Sequence, residues 1–294
     1  MILVSGGSGF VGKHLRANLP QPNRAISLRQ RQWMDELQSH RPMTIVHLAG
    51  FAHSRGSAEE IRAVNVGLTK TLAEETARNG VRRFIFISSI QAVAESSADG
   101  HSVSTQTTAA PQGAYGKSKL EAEQLLRGLS MESRMEVVII RPPLVYGPGV
   151  KANFRNLLGI VDKGLPIPLA AMDQNQRSFV AVSNLIDLIL LCLEHPAAAN
   201  QTFHVSDDDD ISTAELLRRM GKALGNPVRD LPIPAPVLKA GLRLAGKGEM
   251  VDKLFGDLRV DIEHTKKTLG WKPKVTMEEE LERTAKWWRS QARD

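Results

Sequence analysis

The chain has 294 residues, of which 42% are hydrophobic and 24% are charged, an ordinary composition for a globular protein of one large or two smaller domains. Its formal charge of +6 would suit nucleic acid, but the Lys and Arg residues are scattered, and only 5% of residues are aromatic, which leaves few stacking surfaces for bases. We therefore expect no nucleic-acid partner, and a small molecule carrying phosphate suits the same charge.

Export and membrane insertion are also disfavoured. Residues 1–4 run straight into glycines without a basic segment or cleavage site, and no apolar stretch approaches the ~20 residues that span a bilayer. The single cysteine, Cys192, cannot form a disulfide within the chain. We interpret the acidic run 207–210 as a solvated loop, not a metal site. The expected protein is cytoplasmic, with no membrane partner and no metal.

Short apolar runs in the first half of the chain predict parallel strands buried on both faces, with helical patterns between them. The predicted strands are 2–5, 25–28, 44–48, 84–87 and 137–140, and the predicted helices include 12–19, 59–79 and 115–129. This alternation predicts an α/β fold built on a Rossmann-type doubly wound parallel sheet.

The composition of the chain changes after residue 146, where prolines and glycines become frequent. We expect residues 1–145 to form an NAD(P)-binding Rossmann domain to which residues 178–206 return. Residues 146–294 are expected to form mainly a smaller C-terminal substrate-binding domain.

A glycine loop joins the first predicted strand to the first predicted helix. Gly6, Gly9 and Gly12 have the spacing G-x-x-G-x-x-G, which permits a tight turn, lets a pyrophosphate approach the backbone and lets helix and strand pack closely. The helix N-terminus adds amide donors and the positive end of its dipole. We expect the intervening loop residues to contact the dinucleotide too, namely Ser8, Phe10 and Val11.

The end of the second predicted strand indicates the type of cofactor. A carboxylate there would hold the ribose hydroxyls of NAD, but this chain has Arg29, with Arg31 close behind. A guanidinium suits a 2′-phosphate and cannot accept hydrogen bonds from ribose. The sequence therefore favours NADP(H), with NAD(H) possible. The alternative is that both arginines are simply solvated.

Tyr115 and Lys119 are spaced i, i+4 on a predicted helix and so lie on one face, about one turn apart. An ammonium group beside a phenol lowers the phenol's pKa, which would let the pair exchange protons close to neutral pH. An isolated match of this kind is more often a solvated helix face. The glycine loop in the same chain favours the catalytic interpretation.

The order of motifs along the whole chain resembles the extended short-chain dehydrogenase/reductase family, in its nucleotide-sugar epimerase, dehydratase and reductase branch. Beyond the glycine loop and the Tyr–Lys pair, the resemblance rests on residues 47–50, Asn65, residues 86–89, 141–149, 177–180 and 269–273.

The resemblance implies a catalytic group of Ser89, Tyr115 and Lys119, with Ser88 as the close alternative to Ser89. Ser89 would orient the substrate oxygen and Tyr115 would exchange its proton. Lys119 would hold the nicotinamide ribose and lower the pKa of Tyr115. Further cofactor contacts are implied for Leu48, Ala49, Gly50, Asn65, Ser88, Pro142 and Leu144. Substrate contacts are expected from Gln91, Asn153 and Arg177, and His53 is expected near the cofactor or substrate.

The same resemblance leaves three functions open. No Asp–Glu pair follows Ser89, so dehydration is disfavoured. Together with Arg29, this favours an NADP(H)-dependent reductase of a nucleotide-linked 4-keto sugar, of the UDP-4-keto-6-deoxy-hexosamine type, in surface-polysaccharide synthesis. The alternatives are a nucleotide-sugar 4-epimerase that retains NAD and a non-catalytic dinucleotide sensor. The family also implies a homodimer formed through the helices that carry Asn65 and Tyr115.

Overall fold

The computed structural model describes residues 1–30, 32–51, 56–98, 100–246 and 248–291. Arg31 and His53, which the sequence singles out, lie outside the described residues. The strands are β1 (Ile2–Ser5), β2 (Asn23–Ile26), β3 (Thr44–His47), β4 (Arg83–Ile87), β5 (Glu136–Arg141), β6 (Leu144–Tyr146), β7 (Phe179–Ala181) and β8 (Thr202–His204).

Six of these strands form one parallel sheet in the order β2-β1-β3-β4-β5-β8. The order reverses direction after β1, so the sheet is doubly wound, and the predicted α/β Rossmann-type fold is confirmed. The second predicted strand is displaced: β2 ends at Ile26 because a turn begins directly after it, with the Gln30 amide donating to the Ser27 carbonyl at 3.2 Å. The remaining pair, β6 and β7, forms a separate two-stranded parallel sheet.

The helices are α1 (Phe10–Asn18), α2 (Trp33–His40), α3 (Ala58–Arg62), α4 (Thr69–Arg78), α5 (Ala114–Glu132), α6 (Ala152–Asp162), α7 (Val182–Glu194), α8 (Thr213–Leu224), α9 (Ala235–Leu244), α10 (Gly248–Phe255), α11 (Glu263–Leu269) and α12 (Met277–Gln291). The single helix predicted over 59–79 consists of α3 and α4 joined by a π-helical segment, Ala63–Leu68. Such segments are frequent at functional sites, and this one contains the buried Asn65.

Successive strand residues pack on opposite faces of the sheet. Leu3 and Phe84 belong to a core shared with α2, α4 and α5, whereas Val4 and Ile85 belong to a core shared with α1 and α7. A third core, centred on Phe154, joins α6, α8 and α12 beside β6 and β7. These cores fix the carboxyl ends of the sheet strands relative to the later helices.

The interpretation of the acidic run as fully solvated is wrong for its first residue. The Asp207 carboxylate accepts hydrogen bonds from the Tyr146 hydroxyl at 2.7 Å, the Ala181 amide at 2.9 Å and the Asn184 side chain at 2.7 Å. Burial raises the pKa of Asp207 to about 6, although these hydrogen bonds act in the opposite direction. Asp207 is therefore a structural acid that ties β6, β7 and α7 together.

Within the described ranges, no helix combines the length and apolar character needed to cross a membrane. The described side chains also contain no group of three or more His, Cys, Asp or Glu residues arranged to hold a metal ion.

Candidate active site

The glycine loop forms a close-packed turn between β1 and α1. Gly6 has a φ of +76°, and a Cβ placed on it would lie 2.7 Å from the Ala49 amide nitrogen. A Cβ on Gly12 would lie 2.2 Å from the Gly6 carbonyl oxygen. Both contacts exclude a side chain: Gly6 lets the loop backbone pack against the segment that follows β3, and Gly12 lets the start of α1 pack against the loop itself. The predicted roles of these glycines in the turn and in helix packing therefore have a direct structural reason.

The N-terminus of α1 is suited to a phosphate group. Gly9 occupies the N-cap position, and no side chain caps the helix. The first amide donors of α1 are therefore not occupied by a capping side chain, and the helix dipole favours an anion at this end. Ser8, Phe10 and Val11 lie at this turn and the start of α1, as the sequence predicts.

A small cavity of about 90 Å³ lies beside this helix end. It is lined by Ser8, Gly9, Phe10, Lys13, His14, Pro148, Gly149 and Lys151. His14 bridges the two walls, since its Nε2 lies 2.7 Å from the Pro148 carbonyl oxygen. The sequence analysis missed Lys13, His14 and Lys151. Lys13 and Lys151 could have been recognised in the sequence, because each follows a glycine-rich segment and adds positive charge where a phosphate would bind.

Asn65 connects the residues after β3 to the helix that carries Tyr115. Its Oδ1 accepts a hydrogen bond from the Phe51 amide at 2.7 Å, and its Nδ2 donates to the Ser118 hydroxyl at 2.9 Å. Ser118 in turn donates to the Tyr115 carbonyl at 2.7 Å. A Cβ on Gly50 would lie 2.9 Å from Asn65 Oδ1, so Gly50 permits this approach. In this structure Asn65 positions the site through its contacts within the protein.

Ser89 and Tyr115 are brought together by contact between a short turn and α5. Ser89 caps the 3₁₀ turn Ile90–Ala92, where its hydroxyl accepts a hydrogen bond from the Gln91 amide at 3.2 Å. A Cβ on Gly116 would lie only 2.3 Å from the Gln91 carbonyl oxygen. The missing side chain at Gly116 therefore lets the turn lie directly against α5. Sequence reasoning overlooked Gly116, although it lies between Tyr115 and Lys119 in the motif itself.

The protonation of Tyr115 differs from the sequence-based prediction. Burial raises the pKa of Tyr115 to about 12, and hydrogen bonding to Ser89 acts in the opposite direction. Lys119 is not among the groups that lower the Tyr115 pKa in this structure, where burial dominates. The Lys119 ammonium donates to the Ile87 carbonyl at 3.0 Å and lies 4.6 Å from the centre of the Phe86 ring, but 6.0 Å from that of Tyr115.

Lys119 itself is buried, and burial lowers the pKa of its ammonium to about 8. The carboxylate of Glu123, one turn further along α5, acts in the opposite direction. At neutral pH Lys119 is therefore still largely a cation, held inside the site between the end of β4 and α5.

Ser88 points away from this group into a buried polar network. Its hydroxyl donates to Glu123 Oε1 at 2.6 Å, and Arg141 Nε donates to the same oxygen at 2.8 Å. Glu123 is fully buried, and Arg141 and Arg127 lower the pKa of its carboxyl despite that burial. Ser88 is thus engaged with Glu123, and of the two serines it is Ser89 whose hydrogen bonding lowers the pKa of Tyr115.

The implied substrate residues occupy different environments. The Arg177 guanidinium donates to the Gly256 carbonyl at 2.8 Å, and it forms no ion pair within 4.0 Å among the described residues. Burial lowers the pKa of Arg177, against the influence of Asp257. Gln91 is half-buried in the 3₁₀ turn, and Asn153 is exposed in the first turn of α6.

The remaining implied cofactor residues lie at the ends of strands. Leu48 and Ala49 follow β3 and form part of the contact with Gly6. Pro142 is buried and its carbonyl accepts a hydrogen bond from the Ile90 amide at 2.9 Å, while Leu144 is 39% exposed. Arg29 is exposed on the turn that follows β2. The carboxyl ends of β1, β3, β4 and β5 thus carry the glycine loop, the residues implied to contact the cofactor, and Ser89 along one edge of the sheet.

Residues 2–206 match the model of the NAD dependent epimerase/dehydratase family. The chain belongs to this family. It is 43% identical to a UDP-glucose 4-epimerase of Vibrio cholerae, across 97% of this chain and 94% of that protein. The predicted relationship to the epimerase/dehydratase branch is therefore confirmed, and the protein is an enzyme of the nucleotide-sugar epimerase and reductase type.

Solved structures share the fold over nearly the whole chain. The structure of MoeE5 in complex with UDP-glucuronic acid and NAD superposes with a TM-score of 0.78, at 22% identity, covering 99% of each chain. RMD from Pseudomonas aeruginosa, complexed with NADPH, has a TM-score of 0.78 at 20% identity and the same coverage. Neighbours with this fold therefore hold either NAD or NADPH.

Proposed function

We propose that this enzyme is a nucleotide-sugar 4-epimerase that acts on a UDP-hexose and retains NAD. The observation that carries the proposal is the near-full-length relationship, at 43% identity, to a UDP-glucose 4-epimerase. The site adds a Ser89–Tyr115–Lys119 group beside a glycine loop that fits a dinucleotide. Such an enzyme needs one proton-exchanging group and a cofactor that does not leave between the two half-reactions.

In this proposal the glycine loop and Lys119 would hold the nicotinamide cofactor, which when bound would supply hydride acceptance and return at C4 of the sugar. Tyr115 takes the proton of the C4 hydroxyl as the carbon is oxidised, and gives it back when the hydride is added to the opposite face. Ser89 forms a hydrogen bond to the same sugar oxygen, and Lys119 supplies a positive charge near the Tyr115 phenol. Because burial keeps the Tyr115 phenol protonated in the protein alone, the charge of Lys119 has to offset that burial during the oxidation step.

Arg177 is the proposed contact for the diphosphate of the substrate. Its guanidinium is largely buried yet donates to a single backbone carbonyl in the described structure, so several of its N–H donors remain for phosphate oxygens. Asn153 and Gln91 are proposed to contact the nucleotide and sugar portions.

The enzyme is further proposed to be a homodimer through the helices that carry Asn65 and Tyr115, which light scattering of the purified protein would test.

The decisive experiment supplies UDP-galactose without any added cofactor and measures UDP-glucose in the quenched reaction by chromatography. We expect conversion, together with NAD in the supernatant after acid denaturation of the purified enzyme. Absence of conversion with UDP-galactose and with its N-acetylated counterpart would contradict the proposal.

The second candidate is an NADP(H)-dependent reductase of a nucleotide-linked 4-keto sugar. The observation that favours it is Arg29, which is exposed on the turn that follows β2, where a 2′-phosphate would bind. Loss of NADPH absorbance that requires a 4-keto nucleotide sugar, combined with release of NADP and not NAD on denaturation, would support this function over epimerisation. Replacing Arg29 with Glu should then weaken NADPH binding and leave NADH binding intact.

A further inference from the structure

His47 is the last residue of β3 and lies inside the protein between two polar side chains. It is 1% exposed, and the proposed mechanism does not use it. Its Nδ1 lies 2.5 Å from the Ser5 hydroxyl, and its Nε2 lies 2.8 Å from the Thr69 hydroxyl. Ser5 and Thr69 are buried as well. Each ring nitrogen of an imidazole can donate or accept, so the direction of these two hydrogen bonds decides what His47 does.

The direction of both hydrogen bonds follows from the single proton of the Thr69 hydroxyl. Thr69 Oγ1 lies 2.7 Å from the Asn65 carbonyl oxygen, which can only accept, so the hydroxyl donates its proton there. The hydrogen bond between His47 and Thr69 is therefore donated by the imidazole Nε2–H. Burial, with the Lys119 charge acting in the same direction, lowers the pKa of His47 to about 3, so the ring is neutral at neutral pH. A neutral ring with its proton on Nε2 accepts at Nδ1, and the Ser5 hydroxyl is the donor.

His47 thereby holds Thr69 at the end of the π-helical segment Ala63–Leu68. In an α-helix the Thr69 amide would donate to the Asn65 carbonyl four residues earlier, but here it donates to the Val66 carbonyl. The Thr69 hydroxyl donates to the Asn65 carbonyl instead. The imidazole donor keeps this hydroxyl turned toward that carbonyl, so the position of Asn65 in the irregular turn depends on His47.

Asn65 connects this turn to the helix that carries Tyr115. Its side chain accepts a hydrogen bond from the Phe51 amide at 2.7 Å and donates to the Ser118 hydroxyl at 2.9 Å. The Ser118 hydroxyl in turn donates to the Tyr115 carbonyl at 2.7 Å. The hydrogen bonds from Ser5 to the Tyr115 carbonyl therefore all run in one direction, and a carbonyl at the end of the series can only accept.

We propose that His47 is a positioning residue for the Tyr115 phenol. Through the hydrogen bond from its Nε2 to Thr69, it fixes Asn65 and the start of α5 relative to the glycine loop, which Ser5 directly precedes. The role rests on the proposed function, in which Tyr115 exchanges the proton, and it belongs to one of the two ring nitrogens. Loss of the Nε2 donor should disturb the reacting group, whereas loss of the contact at Nδ1 should reduce stability alone.

The kinetic test uses variants that affect one ring nitrogen at a time. A side-chain amide on Asn reaches the position of Nδ1 and one on Gln reaches that of Nε2, so His47→Asn loses the donor to Thr69 and His47→Gln keeps it. We expect His47→Asn to lower kcat about 10-fold or more, because a small misplacement of a reacting group is costly. The KM for UDP-galactose should not change, because the proposed diphosphate contact, Arg177, lies on a separate segment. His47→Gln should retain most of the wild-type kcat, and Thr69→Val, which removes the hydroxyl, should behave like His47→Asn.

Ser5→Ala is the matched control, because it removes the hydrogen bond to the other ring nitrogen at an equally buried position. A proton on Nδ1 would then face a methyl group, so the ring keeps its proton on Nε2 and its bond to Thr69. Both Ser5→Ala and His47→Asn should lower the melting temperature, but only His47→Asn should lower kcat. Equal loss of kcat in the two variants would overturn the proposal, because His47 would then act through stability alone.

Two NMR measurements on the full-length protein need no substrate and so separate this role from the assigned reaction. The Phe51 amide donates to the Asn65 side chain, whereas the Leu48 amide donates to the Ser5 carbonyl at 3.0 Å. In hydrogen exchange, His47→Asn should accelerate the Phe51 amide about 10-fold or more and leave the Leu48 amide nearly unchanged. Nitrogen-15 spectra of the wild type should show the His47 proton on Nε2.

Equal acceleration of both amides, or a His47 proton on Nδ1, would overturn the proposal whether or not the wild type converts UDP-galactose. Absence of conversion by the wild type, with the expected exchange pattern and the proton on Nε2, would contradict the proposed reaction and support the positioning of Asn65 by His47.

Discussion

Ser88 and Glu123 are joined by a 2.6 Å hydrogen bond in which the serine hydroxyl donates to a fully buried carboxylate. The Ser88 hydroxyl is therefore engaged with Glu123, whereas hydrogen bonding by its neighbour Ser89 acts on the Tyr115 phenol. The two serines, which the motif alone leaves interchangeable, consequently have different roles. Ser88 belongs to the network that anchors the end of β4 to α5, and Ser89 belongs to the proposed reacting group.

Ser89→Ala should reduce kcat about 10²-fold, because it removes one donor to the substrate oxygen where charge develops, with little change in melting temperature. Ser88→Ala should instead lower the free energy of unfolding by about 1–3 kcal/mol, because it leaves a buried carboxylate oxygen with one donor fewer, and should affect kcat much less. Steady-state kinetics and thermal unfolding of the two variants separate these outcomes. A larger loss of kcat in Ser88→Ala than in Ser89→Ala would reverse the assignment.

Tyr115→Phe should reduce turnover by about 10²- to 10⁴-fold while cofactor binding persists, because the phenol hydroxyl is the proposed proton-exchanging group. The chain has two tyrosines, and Tyr146→Phe is the matched control. It removes a hydroxyl that donates to Asp207 at 2.7 Å, so it should alter stability and not the chemical step. Equal turnover of Tyr115→Phe and wild type would contradict the proposed role of the phenol, whereas cofactor binding without turnover in either protein would favour the non-catalytic dinucleotide sensor.

The pH dependence of stability should carry a contribution from Asp207. Burial raises the pKa of Asp207 from 3.8 to about 6, so at intermediate pH the folded protein retains a proton that the unfolded chain has released. The free energy of unfolding contributed by this group therefore falls as the pH rises from about 4 to about 6, and the contribution is lost above that range. Asp207→Asn keeps an acceptor oxygen but cannot titrate. Melting temperatures across this range should fall less in the variant, and identical slopes would contradict the structural assignment of Asp207.

The sequence predicts the sheet and the shared helix of Tyr115 and Lys119 well because both depend on local patterns, whereas the catalytic role of these two residues stays a prediction. Apolar runs mark β1 and β3 to within a residue, and the spacing of Tyr115 and Lys119 is sufficient to place them on one helix face. The protonation of Tyr115 could not be predicted in this way. Its pKa depends on how deeply the phenol is buried and on where the Lys119 ammonium points, and both are set by residues distant in sequence, such as Ile87.

The contacts of Asp207 could not be predicted from a motif either. Asp207 lies in a run of four acidic residues that resembles a solvated loop, yet its partners come from β6, β7 and α7.

Gly116→Ala tests whether contact between α5 and the 3₁₀ turn holds Ser89 in place. The added methyl would lie 2.3 Å from the Gln91 carbonyl oxygen, a backbone atom, so the turn has to move away from α5. We expect a loss of about 1–3 kcal/mol in the free energy of unfolding and a lower kcat, because Ser89 moves with the turn. Gly128→Ala is the control in the same helix: a Cβ there meets no atom within 4 Å, so the better helix propensity of alanine should stabilise the protein by up to about 1 kcal/mol without changing kcat. If both variants are stabilised and fully active, the close contact at Gly116 does not position Ser89, because the turn can shift without disturbing the reacting group.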